Sequence, residues 1–386
     1  MRLPQLHREA GVHESDLLRF IGSMGWSSEP DATPQNYVHD SEGVFGALAV
    51  RTFLHQHHVI PEYRAYVDYL GRRPLEWAEI PPVPVSAFRS HDLSAAPPGN
   101  VTVTFQTSGT TVSLPGRVRL EHTSLYEASL LRNFARHLLP DGARLHALVF
   151  GPTRAEAPRS SLWFMADRIV REFCAGGTWI VQHGEPQWSL ADEKVGRAVS
   201  GGDPLLLFGA TLLFQAYFER CEREGIRFRL PPGSRVMDTG GRKGAVVEVS
   251  REQVQTSFAR VLGIPSTHLV NEYGMAEMGS QFYEDTLLAA HEHRPAGAGF
   301  TIPPWVRTRV LHPETMQPVP AGKPGVLVQF DLANLEIPMA IQTEDVGAIL
   351  HGRLHLDGRL HEAERRGCSL PFEKFVERER AAGDQA

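Results

Sequence analysis

The chain has 386 residues, of which 42% are hydrophobic and 22% are charged, an ordinary globular composition with enough apolar residues to bury a large core. Its formal net charge of −6 and the absence of a basic tract with interleaved aromatic residues argue against a nucleic-acid partner. The N-terminus lacks the apolar core of a signal peptide, and the most apolar stretch, residues 204–218, is too short to span a bilayer, so we expect a cytoplasmic protein without a membrane span.

The first 98 residues are predicted to form a largely helical region packed on the core, with helices at 44–57 and 61–70 before a proline-rich connector. From residue 99 onward, strands alternate with helices, a pattern typical of parallel sheets covered by helices. The predicted strands cover 101–105, 145–150, 178–182, 205–208 and 235–238, and the predicted helices cover 123–138, 160–173, 211–224 and 251–262.

After about residue 295 the pattern changes to short strands separated by turn signals, which indicates an appended antiparallel barrel or sheet. These strands are predicted at 306–311, 325–331, 346–350 and 353–356. The sequence therefore favours an α/β fold with a core domain at 99–350 and a short C-terminal tail at 351–386.

Cysteine and histidine usage gives no sign of a disulfide framework or of a metal cluster. The 18 histidines are scattered rather than set at ligand spacing, and the three cysteines, Cys174, Cys221 and Cys368, form no CxxC pair. Cys174 and Cys221 lie in apolar helical contexts, and we interpret both as structural.

A hydroxyl-rich glycine turn directly follows the predicted strand at 101–105. Its hydroxyl and backbone N–H groups could donate to phosphate oxygens, and its glycine lets the backbone approach a ligand closely. It is not a Walker A loop, because no Gly-Lys-Ser/Thr ends it, and a polar hairpin turn is the alternative interpretation. The turn consists of Thr107, Ser108, Gly109, Thr110 and Thr111.

A second motif at residues 271–277 reads Asn-Glu-Tyr-Gly-Met-Ala-Glu. Glu272, Tyr273 and Gly274 could flank an adenine ring, while the Glu277 carboxylate could hold Mg²⁺ near the phosphates of a nucleotide. The alternative is a helix N-terminus with an exposed glutamate.

A third motif at residues 343–347 reads Thr-Glu-Asp-Val-Gly. The Asp345 carboxylate could bind both hydroxyls of a ribose. Two further short patterns follow it along the chain, Gly358–Arg359 and the Arg-Arg-Gly run at 365–367.

Taken in this order, the motifs resemble those of the adenylate-forming superfamily, which includes acyl-CoA synthetases, peptide-synthetase adenylation domains and luciferases. The corresponding patterns there are TSGTTG, YGxTE, TGD and GRxDxxIKxRG. Residues 115–122 also look like the superfamily's PKGV…H stretch, and Gly240–Gly241 look like its glycine pair beside the adenine. The resemblance covers about residues 101–372, and it implies ATP and Mg²⁺ as cofactors, with Glu277 as the metal ligand and Arg359 at the nucleotide site.

Details within the motifs resemble one branch, the LuxE-type acyl-protein synthetases of bacterial bioluminescence. These details are the segments 80–90, 160–165, 238–244 and 366–370. The resemblance implies that a fatty acid is activated with ATP, moved to a cysteine near the C-terminus, and received by a partner acyl reductase. The matching thiol is Cys368, next to Arg365 and Arg366, which could lower its pKa. A small core hydrophobe is the alternative role for this cysteine.

The sequence also departs from the superfamily pattern. Val112 and Ser113 replace the usual glycine after the double threonine, Arg117 stands where lysine is usual, and Glu344 precedes Asp345 in place of glycine. The superfamily's mobile C-terminal domain, with its catalytic lysine, is expected to be largely absent. Lys243 is therefore a candidate for supplying that positive charge, with an exposed loop lysine as the alternative.

The expected reaction is in-line attack of a fatty or aryl carboxylate on the α-phosphorus of ATP, with Arg117, Lys243 and Mg²⁺ spreading the developing charge. Residues 209–211 and 275–276 are expected to line the acyl pocket. Two alternatives remain open from the sequence: a ligase that loads coenzyme A or a carrier protein, and a nucleotide-binding scaffold without catalysis.

Overall fold

The computed structural model describes residues 13–24, 39–107, 115–240, 250–360 and 372–378. It contains two compact units. The first is formed by the described parts of Met1–Ser129, Met275–Ser280 and Ile302–Ala386, and the second by those of Leu130–Gly274 and Gln281–Thr301.

Ten α-helices with defined bounds occur in the described residues. They are α1 (Glu14–Ser23), α2 (His39–Val59), α3 (Pro61–Leu70), α4 (Ala87–Ser90), α5 (Ser124–Leu138), α6 (Ser161–Phe173), α7 (Trp188–Gly201), α8 (Thr211–Glu224), α9 (Arg251–Leu262) and α10 (Thr286–His291). The strands are β1 (Val83–Pro84), β2 (Val103–Gln106), β3 (Arg117–Leu120), β4 (His146–Phe150), β5 (Gly176–Trp179), β6 (Val181–Gln182), β7 (Glu185–Pro186), β8 (Leu205–Ala210), β9 (Arg235–Thr239), β10 (Leu269–Tyr273), β11 (Phe282–Tyr283), β12 (Phe300–Thr301), β13 (Val306–Leu311), β14 (Gly325–Asp331), β15 (Ala340–Leu350) and β16 (Arg353–Arg359).

The second unit is built on parallel strands in the order β5-β4-β8-β9-β10. β11 pairs antiparallel with β10, and β12 pairs antiparallel with β11. Since the first strand of this set along the chain, β4, lies between β5 and β8, the direction of winding reverses there. In such doubly wound sheets, ligands bind outside the carboxyl ends of the strands.

Aromatic side chains fill the space between this sheet and its helices. The ring of Phe214 on α8 lies 4.5 Å from that of Phe150 on β4 and 5.0 Å from that of Phe258 on α9, measured between centroids. All three side chains are fully buried, and burial of each contributes roughly 2–3 kcal/mol. Gly225 and Gly263 adopt left-handed conformations directly after α8 and α9 and thereby end these helices.

The first unit contains an antiparallel sheet in the order β13-β14-β15-β16. β1 lies parallel to the beginning of β15, where Val83 pairs with Ile341, and β16 pairs with the end of β15 from Asp345 onward. β2 and β3 form a separate hairpin. The long helix α2 belongs to the same unit.

Most predicted elements are confirmed, and α8, α9, β13 and β14 have the predicted bounds. The appended antiparallel sheet is confirmed as well, although its four strands are not seen to close into a barrel within the described part of this unit. β10 and α7 are not among the predicted elements. The domain boundaries proposed at residues 98 and 350 stay a prediction. No helix in the described residues is long and apolar enough to cross a membrane.

Candidate functional site

In the second unit, polar residues gather where β8, β9 and β10 end. Thr211 follows β8 as the first residue of α8, and its Oγ1 donates to Asp238 Oδ2 at 3.0 Å and to the Thr239 carbonyl at 3.1 Å. Asn271 of β10 donates from Nδ2 to the same Asp238 carboxylate at 3.0 Å. Asp238 therefore ties the ends of three neighbouring strands together at the edge where ligands bind in this kind of sheet.

Arg251 completes this network from the first turn of α9. Its guanidinium donates to Asp238 Oδ1 at 2.8 Å and to Glu284 Oε2 at 2.5 Å. Burial disfavours the charged guanidinium, but the two carboxylates outweigh burial and raise the pKa of Arg251. Sequence reasoning missed this network. One signal was present, because a cation in the first turn of a helix is disfavoured by the helix dipole and needs an acidic partner.

The predicted adenine-binding residues lie at the end of β10. Glu272 is 5% exposed, and Thr239 Oγ1 donates to its carboxylate. A β-carbon at Gly274 would lie 2.3 Å from Glu272 Oε1, so a side chain at 274 would displace this carboxylate. Tyr273 is buried, with its ring centroid 5.5 Å from that of Phe282 and 6.0 Å from that of Phe300.

Gly240 follows β9 with a φ of +84°, a conformation that favours glycine. Its carbonyl accepts a hydrogen bond from Thr211 Oγ1 at 3.4 Å. Two predicted residues nearby in sequence, Gly241 and Lys243, lie outside the described residues.

In the first unit, the predicted phosphate loop is carried by the hairpin of β2 and β3. Thr107 N donates to the Gly116 carbonyl at 3.0 Å, and Gly116 N donates to Thr107 Oγ1 at 3.0 Å. A β-carbon at Gly116 would lie 3.2 Å from the carbonyl carbon of Phe88, so glycine allows this close approach. Arg117 begins β3 with an exposed side chain. Residues 108–114, which include Ser108, Gly109, Thr110 and Thr111, lie outside the described residues.

Glu277 is only 6% exposed. The alternative interpretation of residues 271–277, a helix start with an exposed glutamate, is therefore wrong, because Leu269–Tyr273 is strand β10 and the carboxylate-bearing residue is buried. Asn334 Nδ2 donates to the backbone carbonyl of Glu277 at 2.9 Å. Asn334 is a second residue that sequence reasoning missed, and no local pattern marks it.

Asp345 and Arg359, predicted from separate motifs, lie together. They are paired in the register of β15 with β16, and Arg359 Nε donates to Asp345 Oδ1 at 3.2 Å. Asp345 is 4% exposed, and its N–H donates to Thr343 Oγ1 at 3.1 Å. The strand pairing and the ion pair hold this carboxylate in one orientation.

Cys174 and Cys221 are free thiols in buried positions, as predicted for structural cysteines. Burial raises the pKa of the Cys174 thiol to about 11 and also raises that of Cys221, which disfavours the nucleophilic thiolate at neutral pH. The predicted nucleophile, Cys368, lies outside the described residues, as do the neighbouring arginines.

The fold is similar to that of a ligase of known structure. The chain superposes on 2-hydroxyisobutyryl-CoA ligase in an open conformation with a TM-score of 0.61 at 14% identity, covering 89% of this chain and 81% of that one. The same ligase in its thioesterification state gives the same TM-score and covers 73% of that chain. The predicted adenylate-forming fold is confirmed by this likeness.

The sequence is similar to those of two bacterial ligases. The chain is 22% identical over 354 residues to the long-chain-fatty-acid–luciferin-component ligase of Vibrio harveyi, covering 88% of this chain and 90% of that protein. The corresponding ligase of Aliivibrio fischeri is 20% identical over 313 residues, covering 78% and 79%. The family model described as acyl-protein synthetase, LuxE, matches residues 27–376. These matches confirm the predicted class of enzyme, an ATP-dependent ligase that forms acyl-adenylates, and the chain belongs to the LuxE family of acyl-protein synthetases.

Proposed function

We propose that the chain joins a long-chain fatty acid to AMP and then transfers the acyl group to its own Cys368, from which a partner acyl reductase receives it. The family match carries this proposal, because residues 27–376 include every motif residue from Thr107 to Cys368. The names of the relatives from Vibrio harveyi and Aliivibrio fischeri support a long-chain fatty acid as the substrate.

Several of the predicted site residues suit individual parts of ATP. In the first unit, the Asp345 carboxylate, oriented by Arg359, would accept hydrogen bonds from the ribose hydroxyls. The run from Thr107 to Thr111 would donate to phosphate oxygens. In the second unit, Tyr273 and the Gly240–Gly241 pair are the candidates for contacting the adenine.

The donor set also suits Mg²⁺. This ion is commonly bound by one or two carboxylates together with substrate phosphates and water, and Glu277 supplies one carboxylate from a buried position. Among the described residues, no group of three or more histidine, cysteine or acidic side chains could hold a metal ion by itself. When bound, Mg²⁺ would offset negative charge on the phosphates during the transfer.

The proposed activation step is a displacement at the α-phosphorus of ATP. A carboxylate oxygen of the acid forms a new P–O bond, the bond from this phosphorus to the bridging oxygen breaks, and pyrophosphate leaves with the electron pair. Arg117 and Lys243 are the candidates for opposing the charge that develops. In the second step the Cys368 thiolate attacks the acyl carbonyl, a C–S bond forms, and AMP leaves.

The proposal is tested by ATP–pyrophosphate exchange with a panel of fatty, aryl and amino acids, followed by intact-protein mass spectrometry. Exchange is expected with long-chain acids, together with an acyl mass on the wild type and on Cys174→Ala but not on Cys368→Ala. Exchange without a Cys368-dependent mass would move the acceptor to coenzyme A or a carrier protein. If ATP binds but no acid supports exchange, the chain would instead be a nucleotide-binding scaffold without catalysis.

A further inference from the structure

A buried side-chain amide, that of Asn334, binds the backbone on both sides of Met278, next to Glu277. Asn334 Nδ2 donates to the Glu277 carbonyl at 2.9 Å, and Asn334 Oδ1 accepts from Gly279 N at 2.8 Å. Asn334 is 3% exposed, so both hydrogen bonds are shielded from water. One side chain therefore fixes the main chain on both sides of Met278, directly after the residue proposed to bind the metal.

The turn that carries Asn334 is itself rigidly held. Asp331 Oδ1 accepts from Ala333 N at 2.9 Å and from Ser280 Oγ at 2.8 Å. A β-carbon at Gly279 would lie 2.8 Å from the Ala333 β-carbon and 3.0 Å from its carbonyl oxygen. The turn at 331–334 and the segment at 277–280 are thus in direct contact along their backbones, with no room for a side chain between them.

Gln56 of α2 extends this chain of contacts to the helical N-terminal part of the same unit. Its Nε2 donates to the carbonyls of Asn334 at 2.8 Å and Ile337 at 2.5 Å, and its Oε1 accepts from Met339 N at 3.0 Å. Gln56 is fully buried. The loop that follows Asn334 is therefore fastened to a helix, which limits how far Asn334 can move.

We infer that Asn334 is a positioning residue that sets the location of the Glu277 carboxylate for Mg²⁺; this rests on the proposed function, in which Glu277 binds the metal. The position that the Glu277 carboxylate can occupy depends on where the backbone of Glu277 lies. Without the amide, the Glu277 carbonyl and the Gly279 N–H would each lose a buried partner, and the segment would shift until water or another group satisfied them. Such a shift would move the carboxylate away from the metal.

The test measures metal binding directly rather than turnover. Mn²⁺ replaces Mg²⁺, the nucleotide is α,β-methylene-ATP, which cannot release pyrophosphate, and free Mn²⁺ is followed by electron paramagnetic resonance. Removing an outer partner of a metal ligand typically weakens metal binding about 10- to 100-fold, and we expect this loss for Asn334→Ala. Binding of the nucleotide without metal is expected to stay unchanged.

Asn133→Ala is the matched control. Asn133 is also a fully buried asparagine, and its Nδ2 donates to a backbone carbonyl, that of Gln281, at 2.5 Å. It is expected to lose thermal stability but to keep the Mn²⁺ affinity of the wild type. Equal losses of Mn²⁺ affinity in the two variants, or none in Asn334→Ala, would overturn the inference.

Two further variants complete the design. Asn334→Asp keeps an acceptor for Gly279 N but lacks the donor to the Glu277 carbonyl. It is therefore expected to bind Mn²⁺ as weakly as Asn334→Ala. It replaces the alanine variant in the test if that variant fails to fold. Glu277→Gln tests whether the Glu277 carboxylate binds the metal. If it weakens Mn²⁺ binding while the Asn334 variants do not, only the positioning role fails. If Glu277→Gln leaves Mn²⁺ binding intact, the metal assignment fails and the inference fails with it.

Discussion

The carboxylate of Asp331 is predicted to lower the stability of the protein as the pH rises. Asp331 is fully buried, and its Oδ2 has no hydrogen-bond partner among the described residues. Burial raises the pKa of this carboxyl to about 6 from the ordinary value of 3.8. The perturbation that exposes the effect is Asp331→Asn, which keeps an acceptor for Ser280 and Ala333 but cannot ionise.

The magnitude follows from the difference between the two pKa values. Between about pH 4 and pH 6 the folded protein retains a proton on Asp331 that the unfolded chain has lost, so the free energy of unfolding decreases as the pH rises through this range. A difference of about two units corresponds to roughly 3 kcal/mol. The cost of burying the new amide does not depend on pH. It therefore adds the same amount to the difference in unfolding free energy between variant and wild type at every pH.

The assay is urea unfolding of wild type and Asp331→Asn from pH 4 to pH 7. The difference in unfolding free energy is expected to shift in favour of the variant by up to about 3 kcal/mol as the pH rises. Asp141→Asn is the control, because hydrogen bonding to Arg235 lowers the pKa of Asp141 to about 2. Its replacement removes the carboxylate partner of the buried Arg235 guanidinium, so it is expected to lower stability by an amount that stays nearly constant above pH 5. A difference for Asp331→Asn that stays constant with pH would show that burial does not raise the pKa of Asp331.

Three further substitutions test other parts of the structure. Arg251→Met leaves the carboxylates of Asp238 and Glu284 without their shared cation and is expected to lower the unfolding free energy by roughly 2–3 kcal/mol in urea titrations; an unchanged midpoint would contradict this. Asp345→Asn is expected to weaken ATP binding about tenfold in calorimetric titrations, through weaker hydrogen bonds to the ribose, with the melting temperature as the folding control. Gly116→Ala would place a β-carbon 2.9 Å from the neighbouring threonine hydroxyl and is expected to cost about 1–3 kcal/mol and to weaken ATP binding; wild-type behaviour would show that the hairpin ends can separate.

The sequence was most informative where structure is specified locally. The helices at 211–224 and 251–262 have the predicted bounds, because each combines helical periodicity with a glycine that ends it, Gly225 or Gly263. The pairing of Asp345 with Arg359 was not predicted as a contact, but both residues were chosen as site residues from their motifs. The superfamily was recognised from the order of the motifs and the LuxE family from details of four short segments, and the family is confirmed.

The sequence was least informative where contacts join distant segments. β10 was missed although it contains Leu269, Val270 and Tyr273, because it is only five residues long with Asn271 and Glu272 at its centre; its pairing with β9 and β11 becomes visible only in the folded sheet. Asn334 has no local pattern either, since its role depends on two backbone groups more than fifty residues earlier in the chain. Burial of Glu277 could not be read from a motif that fits an exposed helix start equally well. Such features require the tertiary structure.

Formation of an acyl-adenylate by this protein is tested most directly by detecting the acyl-adenylate itself. Stoichiometric enzyme would be mixed with ATP, Mg²⁺ and a long-chain fatty acid, quenched in acid, and analysed by mass spectrometry, with Glu277→Gln as the comparison. For the wild type we expect an acyl-AMP mass, with pyrophosphate equal in amount to acyl-AMP and acylated enzyme together, and for the variant a strong reduction of all three products. ATP that is bound but returned unchanged, with none of these products formed from any acid of the panel, would contradict acyl-adenylate formation.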